Sequence, residues 1–196
     1  MVNTPTLHTE RLILRRFTEK DAGAFFEIMG DPQVSAFLPW FAPESLEQAE
    51  DLLRKQYLES YTKPAGFRYA ICSGSEDVPI GCVKVDDNDS HDLGYALKRE
   101  YWHQGMVTEA CRAVVEQVRE AGIPYLTATH DVDNPRSGNV MKSIGMTYRY
   151  SYEEQWQPKN RLVTFRMYQL NFDGSDGRVY RKYWDTYPVH FIESGL

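Results

Sequence analysis

The alternation of hydrophobic and polar residues predicts a strand followed by two helices in the first third of the chain. The stretch TERLILRR, residues 9–16, alternates aliphatic with polar side chains, as a strand with one buried face does. Thr18 can then cap a helix, with Asp21 three residues later as a variant of the capping box, and Gly30 ends it. Apolar residues at helical spacing predict a second helix over residues 44–58.

The remaining pattern predicts six further strands and two further helices. The strands are expected at 67–72, 80–85, 93–97, 124–130, 146–154 and 162–172, the last two as an antiparallel pair, with helices at 108–121 and 135–145. This order predicts an α+β fold with a central, mixed but mostly antiparallel, twisted sheet of about seven strands. About four helices flank the sheet, and one parallel crossover passes through the central helix.

Two segments outside this pattern are rich in aromatic residues. Residues 34–44, VSAFLPWFAPE, are too apolar for a plain solvent loop, so they either pack on the core or line a pocket. After the turn DGSDG, the stretch VYRKYWDTYPVHF carries five aromatic residues, which argues against disorder. We expect one domain over residues 1–172 and an extension over 173–196. The extension docks either on the domain or on a partner, and on a second copy of the chain it would serve as a dimer clasp.

Composition and charge narrow the class of protein. With 42% hydrophobic and 26% charged residues, the 196-residue chain has the composition of a soluble globular domain. The net charge of −6 argues against nonspecific nucleic-acid binding and suits either a cationic substrate or simple solubility. The three cysteines have no CxxC spacing, and the five histidines are not spaced as metal ligands. Because there is also no signal-peptide pattern and no membrane-length apolar run, we expect a cytoplasmic protein without metal or membrane.

One segment has the pattern of a phosphate-binding loop. The chain has no GxxxxGK[ST], GxGxxG, GxSxG or HExxH motif. LGYALKREYWHQGMVTEA, residues 93–110, instead joins a strand to a helix through a loop with a single glycine, Gly105. Unpaired amides from Gln104 to Val107 would suit a diphosphate, and Gly105 would let the backbone approach it closely. An ordinary packing turn is the alternative.

Three stretches in the same order resemble the GNAT superfamily of acyl-CoA N-acyltransferases, particularly the branch that acetylates ribosomal-protein N-termini. TERLILRRFTEKDA is similar to that branch's first strand and helix. LGYALKREYWHQGMVTEA is similar to its coenzyme-binding segment, often a YWGKGYATEA-like run, and DVDNPRSGNVMKSIGM to its Asn-x-x-Ser … Gly-Met segment. The resemblance covers about residues 8–172 and implies an acetyl-CoA-dependent N-acetyltransferase, with acetyl-CoA as co-substrate.

The resemblance also implies a set of cofactor-binding residues. In chain order these are the backbone of Tyr95, Ala96 and Leu97 for the pantetheine arm, the amides of Gln104, Gly105, Met106, Val107 and Thr108 for the pyrophosphate, Asn134 for the pantetheine or acyl region, and Ser137 beside the cofactor.

Two positions depart from the family pattern. Val107 replaces the usual Gly or Ala, and Met141 replaces a Tyr that protonates the departing thiolate in many members. Methionine cannot donate a proton, so Ser137 becomes the candidate acid, directly or through water.

The chemistry requires direct attack of a neutral amine on the thioester while a backbone N–H, of Ala96 or Leu97, bonds the forming oxyanion. His130 at a strand end and Asp86 after a strand are the candidate bases, although a strand-end histidine is often structural. An α-amino group, with a pKa of about 7.7–8.0, needs less help from a base than a lysine amine at about 10.4. The lack of a dedicated base therefore favours an easily deprotonated amine.

The sequence is compatible with four classes of acceptor amine: peptide N-termini, polyamines, aminoglycosides and amino acids. Phe37 and Trp40 fall where an acceptor-side wall is expected, although they are equally suited to a core. Asp86 opens the acidic loop DDNDSHD, which either attracts a cation or is a solvated turn. The absent Tyr at Met141 and the missing base support an alternative function as a non-catalytic acyl-CoA-binding module. Either protein would be a monomer or a homodimer.

Overall fold

The computed structural model describes residues 3–64, 66–74, 76–175 and 177–196 of the chain. Within these ranges the predicted α+β class is confirmed, with strands in two sheets and six α-helices. The strands are β1 (Leu7–His8), β2 (Leu12–Arg15), β3 (Phe67–Ser73), β4 (Pro79–Val85), β5 (Leu93–Leu97), β6 (Tyr125–Asp131), β7 (Thr147–Trp156), β8 (Arg161–Asn171) and β9 (His190–Phe191). The helices are α1 (Ala22–Met29), α2 (Pro32–Ser35), α3 (Leu46–Gln56), α4 (Met106–Glu120), α5 (Pro135–Ser143) and α6 (Lys182–Thr186).

The first sheet contains β1 to β5, each strand antiparallel to the next one in sequence. The strand predicted over residues 9–16 is confirmed as β2, but it begins three residues later, because residues 9–11 form the turn of a hairpin with β1. The Thr9 amide donates to the Leu12 carbonyl at 2.9 Å and closes this hairpin. The next three predicted strands agree with β3, β4 and β5 to within one residue at each end.

The second sheet has the strand order β6, β8, β7, β9, and all its neighbouring strands are antiparallel. β5 and β6 run parallel, but within the described ranges one bridge, between Asp92 and Thr127, is all that joins them as strands. The predicted mostly antiparallel arrangement is confirmed, but instead of one sheet of about seven strands the described residues form sheets of five and four strands that part beyond this bridge. The predicted parallel crossover is confirmed, since α4 connects β5 to β6.

The N-terminal helices begin at side-chain caps. The first predicted helix starts with a 3-10 turn, Glu19–Asp21, and continues as α1. The Asp21 carboxylate accepts the Thr18 amide at 2.7 Å, so the predicted capping box is present. Ser45 caps α3, the second predicted helix, while α2 between them was not predicted. No helix in the described part of the chain is both long enough and apolar enough to cross a membrane.

The α4 helix covers one face of the first sheet and begins two residues before the predicted start. Gly105 has φ +74°, in the left-handed region that favours glycine, and this turns the chain into a helix at Met106. The buried residues of α4 lie on one face of the helix and are Ala110, Cys111, Val114, Val115 and Val118. They share a core with β2 to β5 and α5, whereas α1 and α3 form a second core on the opposite face, which includes Ala96.

The C-terminal extension packs on the second sheet of its own chain. Its β9 pairs with β7, and α6 lies just before it. Tyr152 of β7 is stacked between Tyr183 and Tyr187, with ring centroids 5.1 and 4.9 Å away. Near the end of the chain, Glu193 forms an ion pair with Arg166 at 2.6 Å. Four of the five aromatic residues of the extension are therefore part of a third core cluster on this sheet, whereas Phe191 is exposed.

Candidate active site

An opening lies between β5 and β6, beyond the bridge that joins them. Directly after β5, Lys98 donates its amide to the Ile80 carbonyl of β4 at 2.8 Å. Because backbone groups along a strand point alternately to its two sides, Ala96 also faces β4, whereas Tyr95 and Leu97 present their N–H and C=O groups to the opening. Among the predicted pantetheine contacts, this geometry favours Tyr95 and Leu97 over Ala96, which is turned toward β4.

The first turn of α4 lies at the mouth of this opening, because α4 follows β5 through a short loop. The Glu109 amide bonds back to the Gly105 carbonyl at 3.0 Å. The amides before it, those of Met106, Val107 and Thr108, belong to the first helical turn, where no intrahelical acceptor is available. The Val107 side chain packs against the main core, so its branched carbon atoms do not crowd the mouth.

An ion pair between the first strand hairpin and α4 holds this loop in place. The Glu109 carboxylate accepts hydrogen bonds from the Thr9 hydroxyl at 2.7 Å and the Arg11 amide at 3.0 Å. It also pairs with the Arg11 guanidinium, which donates to the Gln104 carbonyl at 3.0 Å. Partial burial raises the pKa of Glu109, but the hydrogen bonds from Thr9 and Arg11 outweigh it and lower the pKa below its ordinary value. The sequence analysis did not find this pair, because its partners are far apart in the chain.

Across the opening, the first turn of α5 carries the predicted polar residues. The Asn134 side chain caps α5 by accepting the Ser137 amide at 3.4 Å. The Tyr95 hydroxyl donates to the Ser137 carbonyl at 2.8 Å and lies 3.0 Å from the Ser137 hydroxyl. Burial raises the pKa of Tyr95 above its ordinary value, so the phenol keeps its proton. The structure thus brings Tyr95, Asn134 and Ser137 together. It also places the Tyr95 phenol against Ser137, whereas the sequence predicted a role only for the Tyr95 backbone.

A cationic side chain also stands at the mouth. The Trp102 indole donates to the Leu97 carbonyl at 2.7 Å, and the Arg136 guanidinium carbon lies 5.3 Å from the centroid of its ring. Arg136 is exposed, so it can contact an anionic ligand held by the loop. Arg136 was not predicted as a site residue, although its position between Asn134 and Ser137 in an acidic protein was the available signal. Together, the strand edge, the free amides and this cation suit a ligand with an extended polar arm and a phosphate group.

A model of a known protein family matches the region that contains this site. The family, described as an acetyltransferase (GNAT) domain, matches residues 11–147, which is more than half of the chain. The chain belongs to the GNAT acetyltransferase family. The predicted resemblance is confirmed, and the protein is an acyltransferase.

Individual relatives agree with this assignment. The chain is 27% identical to the uncharacterised N-acetyltransferase YoaA of Bacillus subtilis (strain 168) over 146 residues, which are 72% of this chain and 82% of that protein. Its fold is similar to that of the ribosomal-protein-S5-alanine acetyltransferase of Vibrio fischeri, with a TM-score of 0.70, 16% identity and coverage of 87% and 98% of the two chains. It is also similar to the microcin C7 self-immunity acetyltransferase MccE, solved with acetyl-CoA and AMP, with a TM-score of 0.72, 14% identity and coverage of 83% and 93%.

In this GNAT acetyltransferase, His130, one of the two predicted bases, is buried where α5 packs on β6. It is 4% exposed, and its Nδ1 lies 2.8 Å from the Asp131 carbonyl. A Cβ atom built on Gly138 of α5 would lie 2.6 Å from Nε2, so the helix covers this nitrogen directly. Burial lowers the pKa of His130 below its ordinary value and keeps the ring neutral at physiological pH. These contacts favour a role in seating α5 on β6.

Asp86, the other predicted base and substrate contact, takes part in a local ion cluster. Its carboxylate pairs with Arg68 at 3.1 Å and with Lys84 at 2.9 Å. Asp86 follows β4 and donates its amide to the Asp92 carbonyl at 3.0 Å, so it lies at the bridged end of the opening and not at the mouth. Through these two pairs the carboxylate links the end of β4 to Arg68 of β3.

The predicted acceptor wall is divided between two environments. Trp40 packs with α1 and α3 in the second core cluster. Phe37 instead meets the β7–β8 hairpin, where the Arg161 guanidinium carbon lies 5.7 Å from the centroid of its ring. From the same hairpin, Lys159 donates to the Ser35 carbonyl at 2.6 Å. The hairpin and the segment that follows α2 thus form a continuous wall on the face of the sheets opposite α4 and α5.

Proposed function

We propose that the protein transfers the acetyl group of acetyl-CoA to a primary amine by direct attack in a ternary complex. The observation that carries this proposal is the opening between β5 and β6, whose mouth is formed by the free amides of α4. Acetyl transfer follows from the family; acetyl-CoA as donor and an amine as acceptor are the proposed steps beyond it.

The opening can hold an acyl-CoA molecule along its length. The amides of Met106, Val107 and Thr108 would bind the pyrophosphate at the positive end of the α4 dipole, with Arg136 beside it. The pantetheine arm would pair with the backbone of Tyr95 and Leu97 as an added strand. The arm would then run from the mouth toward the bridge, which places the thioester inside the opening.

Two groups of the chain would act on the thioester. The Leu97 amide faces the opening, so it is better placed than the Ala96 amide to stabilise the oxyanion that forms on attack. The Ser137 hydroxyl, held by Tyr95, would donate a proton to the departing sulfur, the task that Met141, buried in the core, cannot perform. The acceptor amine would approach from the opposite face, between the Phe37 segment and the β7–β8 hairpin.

The test is thiol release from acetyl-CoA with four classes of acceptor: N-terminal peptides, polyamines, aminoglycosides and amino acids. Thermal shifts with CoA and with pantetheine, which lacks the pyrophosphate, would be measured beside it. We expect release with one class of amine and a larger shift with CoA than with pantetheine at equal concentration. A CoA shift without release from any class would favour the non-catalytic binding module. Equal shifts with the two ligands would contradict the assignment of the α4 amides.

A further inference from the structure

Arg161, at the start of β8, lies on the acceptor side of the second sheet. His130 of β6 faces α5, so its neighbour Asp131 faces the opposite side, because side chains alternate along a strand. The Asp131 carboxylate pairs with the Arg161 guanidinium at 2.7 Å. The carbon of this guanidinium also lies 5.7 Å from the centroid of the Phe37 ring. Arg161 therefore stands in the wall along which the acceptor would approach.

This ion pair is level with the proposed oxyanion site. β5 and β6 run parallel from the bridge between Asp92 and Thr127. Counted from this bridge, Ala96 is the fourth residue along β5 and Asp131 is the fourth along β6. Equal numbers of strand residues reach the same height along the opening, roughly 13 Å from the bridge. The Leu97 amide belongs to the next residue of β5, so the ion pair stands across the opening from the place proposed for the reacting carbonyl.

The Arg161 guanidinium is held by Asp131 without using all its donors. One hydrogen bond joins its Nη2 atom to the Asp131 carboxylate. The Nε atom is buried and has no hydrogen-bond partner among the described residues, while the side chain as a whole is 39% exposed. A guanidinium carries five N–H donors in a planar fork that matches a carboxylate. Arg161 can therefore bind a second carboxylate while it stays paired with Asp131.

Lys159, at the tip of the same hairpin, adds a second cation. Its ammonium donates to the carbonyls of Ser35 at 2.6 Å and Ala36 at 2.9 Å, and one of its three donors is left over. Burial lowers the pKa of Lys159, and the charge of Arg161 lowers it further, with no carboxylate acting against them. Both cations lie over the Trp156 ring, at 5.4 and 5.6 Å from its centroid. Two like charges are thus held beside one ring, an arrangement that a bound anion stabilises.

The charge of this cluster matches one carboxylate. Arg161 and Lys159 supply two positive charges and Asp131 one negative charge, which leaves one positive charge. Glu154 of β7 faces the same side, but it hydrogen-bonds to Tyr187 of the extension. A singly charged carboxylate therefore neutralises the cluster, whereas a phosphate with two negative charges would leave one of them uncompensated.

We infer that Arg161 and Lys159 determine acceptor specificity by binding a carboxylate of the acceptor amine, an inference that rests on the proposed function. The carboxylate would accept hydrogen bonds from the Arg161 fork and from the Lys159 ammonium, beside the Phe37 ring. Polyamines and aminoglycosides carry several positive charges, so the same cluster repels them. The acceptor is therefore either an amino acid, recognised by its α-carboxylate, or a peptide whose first residue has an acidic side chain.

The test measures kcat and KM for pairs of acceptors that differ in one carboxylate. An amino acid is compared with its carboxamide, and a peptide that begins with aspartate is compared with the same peptide beginning with asparagine. We expect the wild type to prefer the carboxylate member of one pair by roughly 10- to 100-fold in kcat/KM, the range of charge-assisted hydrogen bonds. The pair that shows the preference identifies which of the two carboxylates is bound.

The variants R161M and K159M attribute this preference to the cluster. R161M should reduce it to about twofold or less, through a higher KM for the acceptor with the KM for acetyl-CoA unchanged, and K159M should reduce it in part. R181M is the matched control, because it removes an arginine that is paired with Asp185 on the exposed side of α6. It should keep the wild-type preference. Every variant receives the same two amines, so the difference between their pKa values cancels in the comparison.

A wild type that acetylates both members of every pair equally, or that prefers a polyamine, would overturn the inference and leave the proposed function intact. Retention of the wild-type preference by R161M would do the same. Absence of turnover with every amine, despite a CoA thermal shift, would overturn both. Should R161M not fold, because Asp131 is left buried without its partner, D131N/R161M removes both charges. This double variant should lose the preference in the same way, and a retained preference would count against Arg161.

Discussion

The Tyr95 hydroxyl donates to the Ser137 carbonyl at 2.8 Å and lies 3.0 Å from the Ser137 hydroxyl, and so connects β5 to α5 across the opening. Because the phenol holds the first turn of α5, the Ser137 side chain is presented to the opening in a fixed position. In the proposed mechanism the two residues would have separable roles, Ser137 in the chemistry and Tyr95 in placing Ser137.

We expect Ser137→Ala to lower kcat by roughly 100-fold, the usual effect of losing an acid catalyst. Tyr95→Phe should lower it by only about 3- to 10-fold, the equivalent of one hydrogen bond. The KM for acetyl-CoA should change little in both. Ser143→Ala, at the other end of α5, removes a hydroxyl that donates to the Asn139 carbonyl and serves as the control. If Tyr95→Phe is as damaging as Ser137→Ala, the phenol itself donates the proton.

The Glu109 carboxylate should be important for both stability and CoA binding. Glu109→Ala removes charge-assisted hydrogen bonds to Thr9 and Arg11, at a cost of about 2 kcal/mol in the free energy of unfolding. CoA affinity should fall several-fold, because the loop is no longer held. Glu116→Ala on the exposed face of α4 removes only a surface pair with Arg119 and should cost less than about 0.5 kcal/mol. Equal effects of the two substitutions, in urea unfolding and CoA titration, would refute a special role for Glu109.

Gly138 should not tolerate a methyl group. In Gly138→Ala the new Cβ would lie 2.6 Å from the His130 Nε2 atom, and overpacking of this kind costs about 1–3 kcal/mol. Gly23→Ala is the matched control, since a Cβ there meets nothing within 4 Å and alanine favours the helix by up to about 1 kcal/mol. The double variant Gly138→Ala/His130→Ala should be more stable than the sum of the single effects predicts. Additive effects in thermal unfolding would show that the two residues do not compete for space.

The effect of Asp92→Asn on stability should depend on pH. The pKa of Asp92 is raised from 3.8 to about 7 in the folded protein, so its stabilising contribution is full below pH 3.8 and is lost as the pH rises to about 7. Asparagine does not ionise. Relative to wild type, the free energy of unfolding of the variant should therefore increase between these pH values, by at most about 1.4 kcal/mol for each pKa unit. Urea unfolding near pH 5 and near pH 8 measures this difference; a variant that gains nothing at the higher pH would contradict the burial of an ionised carboxylate.

The C-terminal extension should be needed for the stability of the second sheet. A chain that ends at Phe172 loses the rings that enclose Tyr152, together with strand β9. Exposing one large buried aromatic side chain costs about 1.5–3 kcal/mol, so we expect a clear fall in Tm. A chain that lacks only residues 194–196, which are exposed, should keep the wild-type Tm. An unchanged Tm in the longer truncation would mean that the extension does not stabilise the sheet.

The elements that the sequence predicts well are those specified by local patterns. The helix period of α4 and the short apolar runs of β3 and β4 depend only on near neighbours, and the loop before α4 is recognised by its single glycine. The separation of the two sheets after Asp92 could not be predicted from local sequence, because it depends on how many residues of β6 pair with β5. Likewise, the pair between Glu109 and Arg11 joins residues that are 98 positions apart in the chain. His130 is covered by Gly138, and this contact forms only when α5 packs on β6.

Because one bridge joins β5 to β6 in the described residues, the stability of the folded chain should depend on the co-substrate that occupies the opening. A ligand that pairs with the open edge of β5, as proposed, would stabilise the folded chain by mass action. A co-substrate at 100 times its Kd contributes about 2.7 kcal/mol in this way. We therefore expect the abundance of the folded enzyme in a cell to follow the level of acetyl-CoA, with starvation leaving more of the chain open to proteolysis.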